Sequence, residues 1–144
     1  AWSPDGQWIA FTSDRSGHGA TEVWRVNVDN GALKQLTDNI NSSFSAAWSP
    51  DGSAIVFLSD RRGATDLYLM TANGDGERSL LVADVRAEER DPAWSLDGRW
   101  IAFSSNRERS LFDLYVVRPD GTELQRILAG DGDTRYVAWH PGNQ

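Results

Sequence analysis

The phrase "AWSPDG" opens the chain at residue 1 and returns at residue 47; "AWSLDG" follows at 93 and "AWHPG" at 138. The tryptophans of the phrase, Trp2, Trp48, Trp94 and Trp139, stand 46, 46 and 45 residues apart. A fixed period of this length restricts a chain to architectures that stack one supersecondary unit many times. The rest of the unit repeats as well. "WIAFTSDR" at 8–15 returns as "AIVFLSDR" at 54–61 and "WIAFSSNR" at 100–107. "TEVWRVNV" at 21–28 returns as "TDLYLMTA" at 65–72 and "FDLYVVRP" at 112–119. Each unit then has a Gly-containing turn and a last apolar piece: "LKQLT" at 33–37, "RSLLV" at 78–82 and "LQRIL" at 124–128.

These pieces read as strands. They are short, rich in β-branched and aromatic residues, and bounded by Gly, Pro, Asp and Asn. The Pro-Asp-Gly and Asn-Gly pairs are turn formers, because Pro fixes φ and Gly accepts positive φ. No window keeps the 3.6-residue apolar period of a helix. Four short strands per repeat of this length predict an all-β fold of β-propeller blades. The blades fall at about 1–46, 47–92 and 93–137, with a final inner strand at 134–140. In "WIAF", Ile9 and Phe11 point one way and Trp8 and Ala10 the other, so both faces of a sheet are apolar, as a blade between two others requires.

The pattern of "AWSPDG", "WIAF", "SDR", "DLY" and a closing "DG…L" resembles the TolB-type propeller repeat over nearly the whole chain. Leu96, Asn106, Glu22 and His140 depart from it. The resemblance implies that the "AWS" strand is innermost, "IAF" second, "DLY" third and the last piece outermost. It also implies a six-bladed ring and a periplasmic or cell-envelope location.

Propellers close with roughly 4–8 blades, so three blades form an arc. Such an arc leaves an apolar face at each end, expected around Trp8, Phe11 and Trp24 and around Phe103, Tyr115 and Val117. Uncovered apolar faces drive association. The expectation is a homodimer in which two half-rings make one six-bladed propeller. The alternative is a fragment of a longer propeller.

Little in the chain points to catalysis. There is no cysteine, and the two histidines, His18 and His140, are isolated in sequence. No G-x-S-x-G stretch marks a nucleophile, and no His or Cys pair has zinc-ligand spacing. No catalytic residue, metal or cofactor is therefore assigned. The acids recur once per unit, which gives them a structural role. Asp5, Asp51 and Asp97 accept backbone N–H bonds in the phrase turn. Arg15, Arg61 and Arg107 pair with Glu22, Asp66 and Asp113 of the third strand or with loop carbonyls. What differs between units is the better candidate for function. The most charged stretch, "RAEER" at 86–90, nominates Arg86, Glu88, Glu89 and Arg90 as partner contacts.

The net charge of −7 and the absence of a Lys/Arg run argue against nucleic acid. No apolar run approaches the ~18 residues of a membrane helix. The leading functional reading is a non-enzymatic scaffold that binds a protein or peptide at a rim and self-assembles through blade faces. Two others stand beside it. One is the propeller portion of a peptidase or of a metal-dependent sugar lyase or hydrolase. The other is an excised or designed repeat fragment whose only activity is assembly.

Overall fold

A computed structural model describes residues 1–75 and 79–139. They form eleven strands: β1 (Trp8–Ser13), β2 (Glu22–Asn27), β3 (Leu33–Gln35), β4 (Ser43–Trp48), β5 (Ala54–Ser59), β6 (Asp66–Thr71), β7 (Ser79–Val82), β8 (Glu89–Trp94), β9 (Ile101–Ser105), β10 (Asp113–Val117) and β11 (Gln125–Leu128). They make three antiparallel sheets, ordered β1-β2-β3, β4-β5-β6-β7 and β8-β9-β10-β11. Within each sheet consecutive strands are hydrogen-bonded neighbours, as antiparallel connections permit and βαβ crossovers would not. In the first sheet the residues before β1 contribute a single bridge, Trp2 to Ile9.

The phrase is a turn held by its own serine and aspartate. Ser49 Oγ donates to Asp51 Oδ1 at 2.6 Å and accepts Ala54 N–H at 2.9 Å, while Ser53 N–H donates to the same carboxylate at 3.0 Å. Gly52 closes the turn at φ +72°, where a side chain would be strained. Ser3 with Asp5 and Ser95 with Asp97 repeat these bonds.

Strand alternation gives each sheet two unlike faces. One face carries the large side chains: Ile55 and Phe57 opposite Met70 and Tyr68 in the second sheet, Ile101 and Phe103 opposite Val117 and Tyr115 in the third. The rings of Phe57 and Tyr68 stack with centroids 5.6 Å apart, and those of Phe103 and Tyr115 at 5.8 Å. In the second and third sheets this aromatic face meets the opposite face of the preceding sheet. Ala10 and Val23, with Trp8 beside them, pack on Ile55, Phe57, Tyr68 and Met70. Val56, Leu58 and Leu67, with Leu69 beside them, pack on Ile101, Phe103, Tyr115 and Val117.

This corrects the expected end faces. Phe103, Tyr115 and Val117 are buried between the second and third sheets, and Trp8 turns toward the second sheet. The outer faces belong to the other parity. In the first sheet they are Ile9 and Phe11 opposite Val26 and Trp24, all half-buried. In the third, Ala102 and Ser104 stand opposite Val116 and Leu114; Leu114 is half-buried, and the other three are already buried within the chain. The reason is the pleat: a shift of one residue moves a side chain to the other face.

The segment expected as a strand at 134–140 is not a strand over its described part, 134–139. An inner strand's ladder partner is the second strand of its own unit, and the described residues hold none after this segment. It nevertheless takes the inner-strand place. Thr134 N–H donates to Phe112 O at 2.8 Å, as Ser43 N–H does to Thr21 O at 2.7 Å and Glu89 N–H to Thr65 O at 2.9 Å. Tyr136 has φ +58°, matching Ser45 and Asp91 at +53°, where register slips mark a bulge in β4 and β8.

Two positions test this directionality. Phe57→Ala empties a fully buried site and is expected to cost about 3–5 kcal/mol. Phe11→Ala, at the same place on the half-buried outer face, is expected to cost less than half of that. Urea denaturation of both variants decides it.

Candidate functional site

The repeated arginine sits beside the serine that ends the second strand. Arg15 Nε donates to Ser13 Oγ at 3.1 Å, Arg61 Nε to Ser59 Oγ at 3.0 Å and Arg107 Nε to Ser105 Oγ at 3.2 Å. Each guanidinium also lies over the two aromatic rings of its sheet: Arg15 over Phe11 and Trp24, Arg61 over Phe57 and Tyr68, Arg107 over Phe103 and Tyr115. The third-strand acids expected to pair with these arginines hold other partners. Glu22 accepts Thr37 Oγ1–H and, at 2.8 Å, Asn39 N–H. Asp66 lies 3.6 Å from Arg62, and Asp113 pairs with Arg109. The serine contact was visible in the sequence as the shared Ser of "TSDR", "LSDR" and "SSNR", but it carries no charge to draw attention.

The tryptophans of the phrase differ in role. Trp94 Nε1 donates to Ala47 O at 3.2 Å and Trp139 Nε1 to Ala93 O at 3.1 Å, each linking its segment to the preceding inner strand. Trp2 is largely exposed, and Trp48 is buried in the core against the first sheet. His18 is exposed, and His140 lies outside the described residues. Among the described residues no group of three His, Cys, Asp or Glu side chains is placed to hold a metal ion.

The stretch 86–90 divides. Arg86 and Glu88 are exposed, and Arg90 stacks over Phe112 at 4.5 Å while pairing with Glu88 at 2.7 Å. Glu89 is fully buried, unlike the solvated contact expected from so charged a run. Its Oε1 accepts Arg107 Nη2–H at 2.7 Å and Ser105 Oγ–H at 3.0 Å. Burial pushes its carboxyl above the usual range despite Arg107, and burial does the same to Asp66. β4, β8 and residues 134–139 run side by side, and Ser45, Asp91 and Tyr136 line an open trough of about 430 Å³ along them. At one end of it a cavity of about 280 Å³ opens between Phe44 and Leu58 on one side and Glu88 to Asp91 on the other. This inner wall and its end cavity form the candidate site.

Sheets with two apolar faces, stacked about a shared row of inner strands, define a β-propeller arc. The sequence profile of the TolB beta propeller domain matches residues 1–86, and the chain belongs to that family. Its fold is similar to a protein assigned as TolB from Agrobacterium tumefaciens, with a TM-score of 0.83 and 28% identity over 94% of this chain and 47% of that one. TolB from Acinetobacter baumannii superposes with a TM-score of 0.77 at 23% identity, over 93% of this chain and 33% of that one. A puromycin-hydrolyzing peptidase of Mycobacterium tuberculosis shares the fold with a TM-score of 0.72 at 20% identity, over 92% of this chain and 22% of that one. The chain thus spans less than half the length of each of these proteins.

Two outcomes follow from the arginines and acids. Arg107→Ala leaves the buried Glu89 carboxylate uncompensated and is expected to cost about 3–5 kcal/mol. Arg15→Ala removes an exposed stacking contact and is expected to cost at most about 1 kcal/mol; thermal melts of the two variants separate them.

The second outcome is a stability maximum in mildly acidic solution. Hydrogen bonds from Ser3, Ser49 and Ser95 hold the Asp5, Asp51 and Asp97 carboxyls below their ordinary value. Their contribution is complete above the unfolded value and is lost as the pH falls below about 4. Glu89 and Asp66, raised by burial, act in the opposite sense: folding favours their protonated forms, so stability falls as the pH rises through their folded values. Urea titrations between about pH 3 and pH 8 check both limbs, and a monotonic profile contradicts this assignment.

Proposed function

We propose that these residues act as a non-enzymatic half of a TolB-type propeller, which closes by pairing with a second copy and offers its inner wall and rim to a protein partner. The observation that carries the reading is the complementarity of the two outer faces. Ile9, Phe11, Trp24 and Val26 are of one kind with Ile55, Phe57, Tyr68 and Met70, which the first sheet covers. Ala102, Leu114 and Val116 are of one kind with Val56, Leu67 and Leu69, which cover the third sheet. One end of the arc is therefore the counterpart of the other. A head-to-tail contact of this kind forms a ring when its rotation closes, and a second copy satisfies both ends at once.

Residues 134–139 strengthen the reading. They lie against the third sheet as an inner strand does, and Trp139 with Ala138 walls an apolar cavity of about 380 Å³ with Trp100, Leu114 and Ile127. A following sheet fills that space. The recurrence of the acids in every unit supports a scaffold over a hydrolytic site, which needs a unique constellation. The envelope location carried by the family resemblance belongs to the same proposal.

Size-exclusion chromatography with light scattering is the test. A mass of twice 16.0 kDa is expected, and Trp24→Glu, on the half-buried outer face of the first sheet, is expected to give a folded monomer. A monodisperse monomer of the unaltered chain at micromolar concentration overturns the assembly.

A further inference from the structure

The cavity at the end of the inner wall carries a charge that the repeat does not need. Its residue Glu89 occupies the position of Ser43 in β4 and Thr134 in the last segment, each making the same backbone bond to the unit before it. In the second unit a serine stands there beside the repeated arginine: Arg61 Nη2 reaches Ser43 Oγ at 3.4 Å and its Nε reaches Ser59. Glu89 instead brings a carboxylate with 0% exposure. Arg107 and Ser105 occupy only its Oε1, and Oε2 has no hydrogen-bond partner. A buried carboxylate oxygen left unpaired is costly, and such a group calls for an explanation.

The surroundings specify what fits. Phe44 and Leu58 give the cavity apolar walls, Thr65 adds a hydroxyl, and Glu88 and Asp91 stand at its border. Three acids line the cavity, Glu88, Glu89 and Asp91, and the cations set against them are Arg90 on Glu88 and Arg107 on Glu89, so acid is in excess. A slot with an apolar sleeve and a single free carboxylate oxygen suits a methylene stem carrying a compact ammonium. A guanidinium prefers a carboxylate open to two parallel hydrogen bonds, and Arg107 already holds the other oxygen.

We infer that the cavity between Phe44, Leu58 and Glu89 receives a lysine side chain from an extended segment of a protein partner lying along the inner wall. The inference deepens the protein-binding half of the proposed function and rests on it. The cavity lies between the second and third sheets of a single chain, so it does not depend on ring closure.

The probe is n-butylammonium chloride, followed by backbone amide NMR shifts at fixed ionic strength, with n-butanol and n-butylguanidinium as comparisons. Saturable shifts are expected at Thr65, Glu88, Glu89 and Asp91 with butylammonium, and weaker ones with butylguanidinium. In Glu89→Ser, which copies the residue of β4 and so preserves the local packing, affinity is expected to fall about tenfold, as for loss of one charge-assisted hydrogen bond. Asp91→Asn, at the cavity border, is expected to weaken binding about threefold and serves if Glu89→Ser does not fold. The peptide acetyl-Ala-Ala-Lys-Ala-Ala-amide is expected to bind several-fold more tightly than butylammonium, and its norleucine counterpart not to bind. Equal shifts with butanol, unsaturable shifts, or affinity unchanged in the variants overturns the site. A peptide that binds no better than butylammonium overturns the extended partner. A dimer that shows no butylammonium shift sinks this inference and leaves the assembly standing, whereas a monomer that shows it does the reverse.

Discussion

Everything in this fold depends on sheets that have no wet face. An antiparallel sheet with one solvated side can stand on a single core. Here the large side chains of the second strand point back toward the preceding sheet, and the smaller ones between them point forward. Phe57, at 0% exposure, is covered by the first sheet, and Val56, also at 0%, by the third. Only the second sheet has both neighbours within the described residues, and both of its faces are closed. On the outer face of the first sheet Ile9, Phe11, Trp24 and Val26 are only half-buried, and on that of the third Leu114 is half-buried beside the buried Ala102, Ser104 and Val116.

The period and the turns were legible from the residues because both are local. The phrase needs only its own Ser, Asp and Gly, all within six residues, and its hydrogen bonds are the same in three copies. The sheet order followed from short turns between consecutive apolar runs. The assignment of end faces was not legible, although the alternation was. Trp8 and Phe11 are both aromatic, and only the direction in which sheets succeed one another decides which is covered. That direction is tertiary, and no window of the sequence contains it.

The candidate site was legible in part for a similar reason. The charged run 86–90 stood out, and it does border the end cavity. Its most exceptional member, Glu89, reads as one more solvated acid until the repeat is aligned and Ser43 and Thr134 are found at the same place. The positive φ shared by Ser45, Asp91 and Tyr136 left no residue-type signal at all, since the three positions hold a hydroxyl, an acid and a phenol. Their common feature is a backbone state, and side-chain identity records it only when glycine is required.

The indole of Trp139 reaches Ala93 O as that of Trp94 reaches Ala47 O. Each inner segment is thus seated by the unit upstream. Growth of such a ring has a built-in sense of rotation: each completed layer offers a docking place for the first few residues of the next, in the order in which a ribosome delivers them. A permuted chain that began at an outer strand would forgo that guidance and would have to locate the axis by collapse alone.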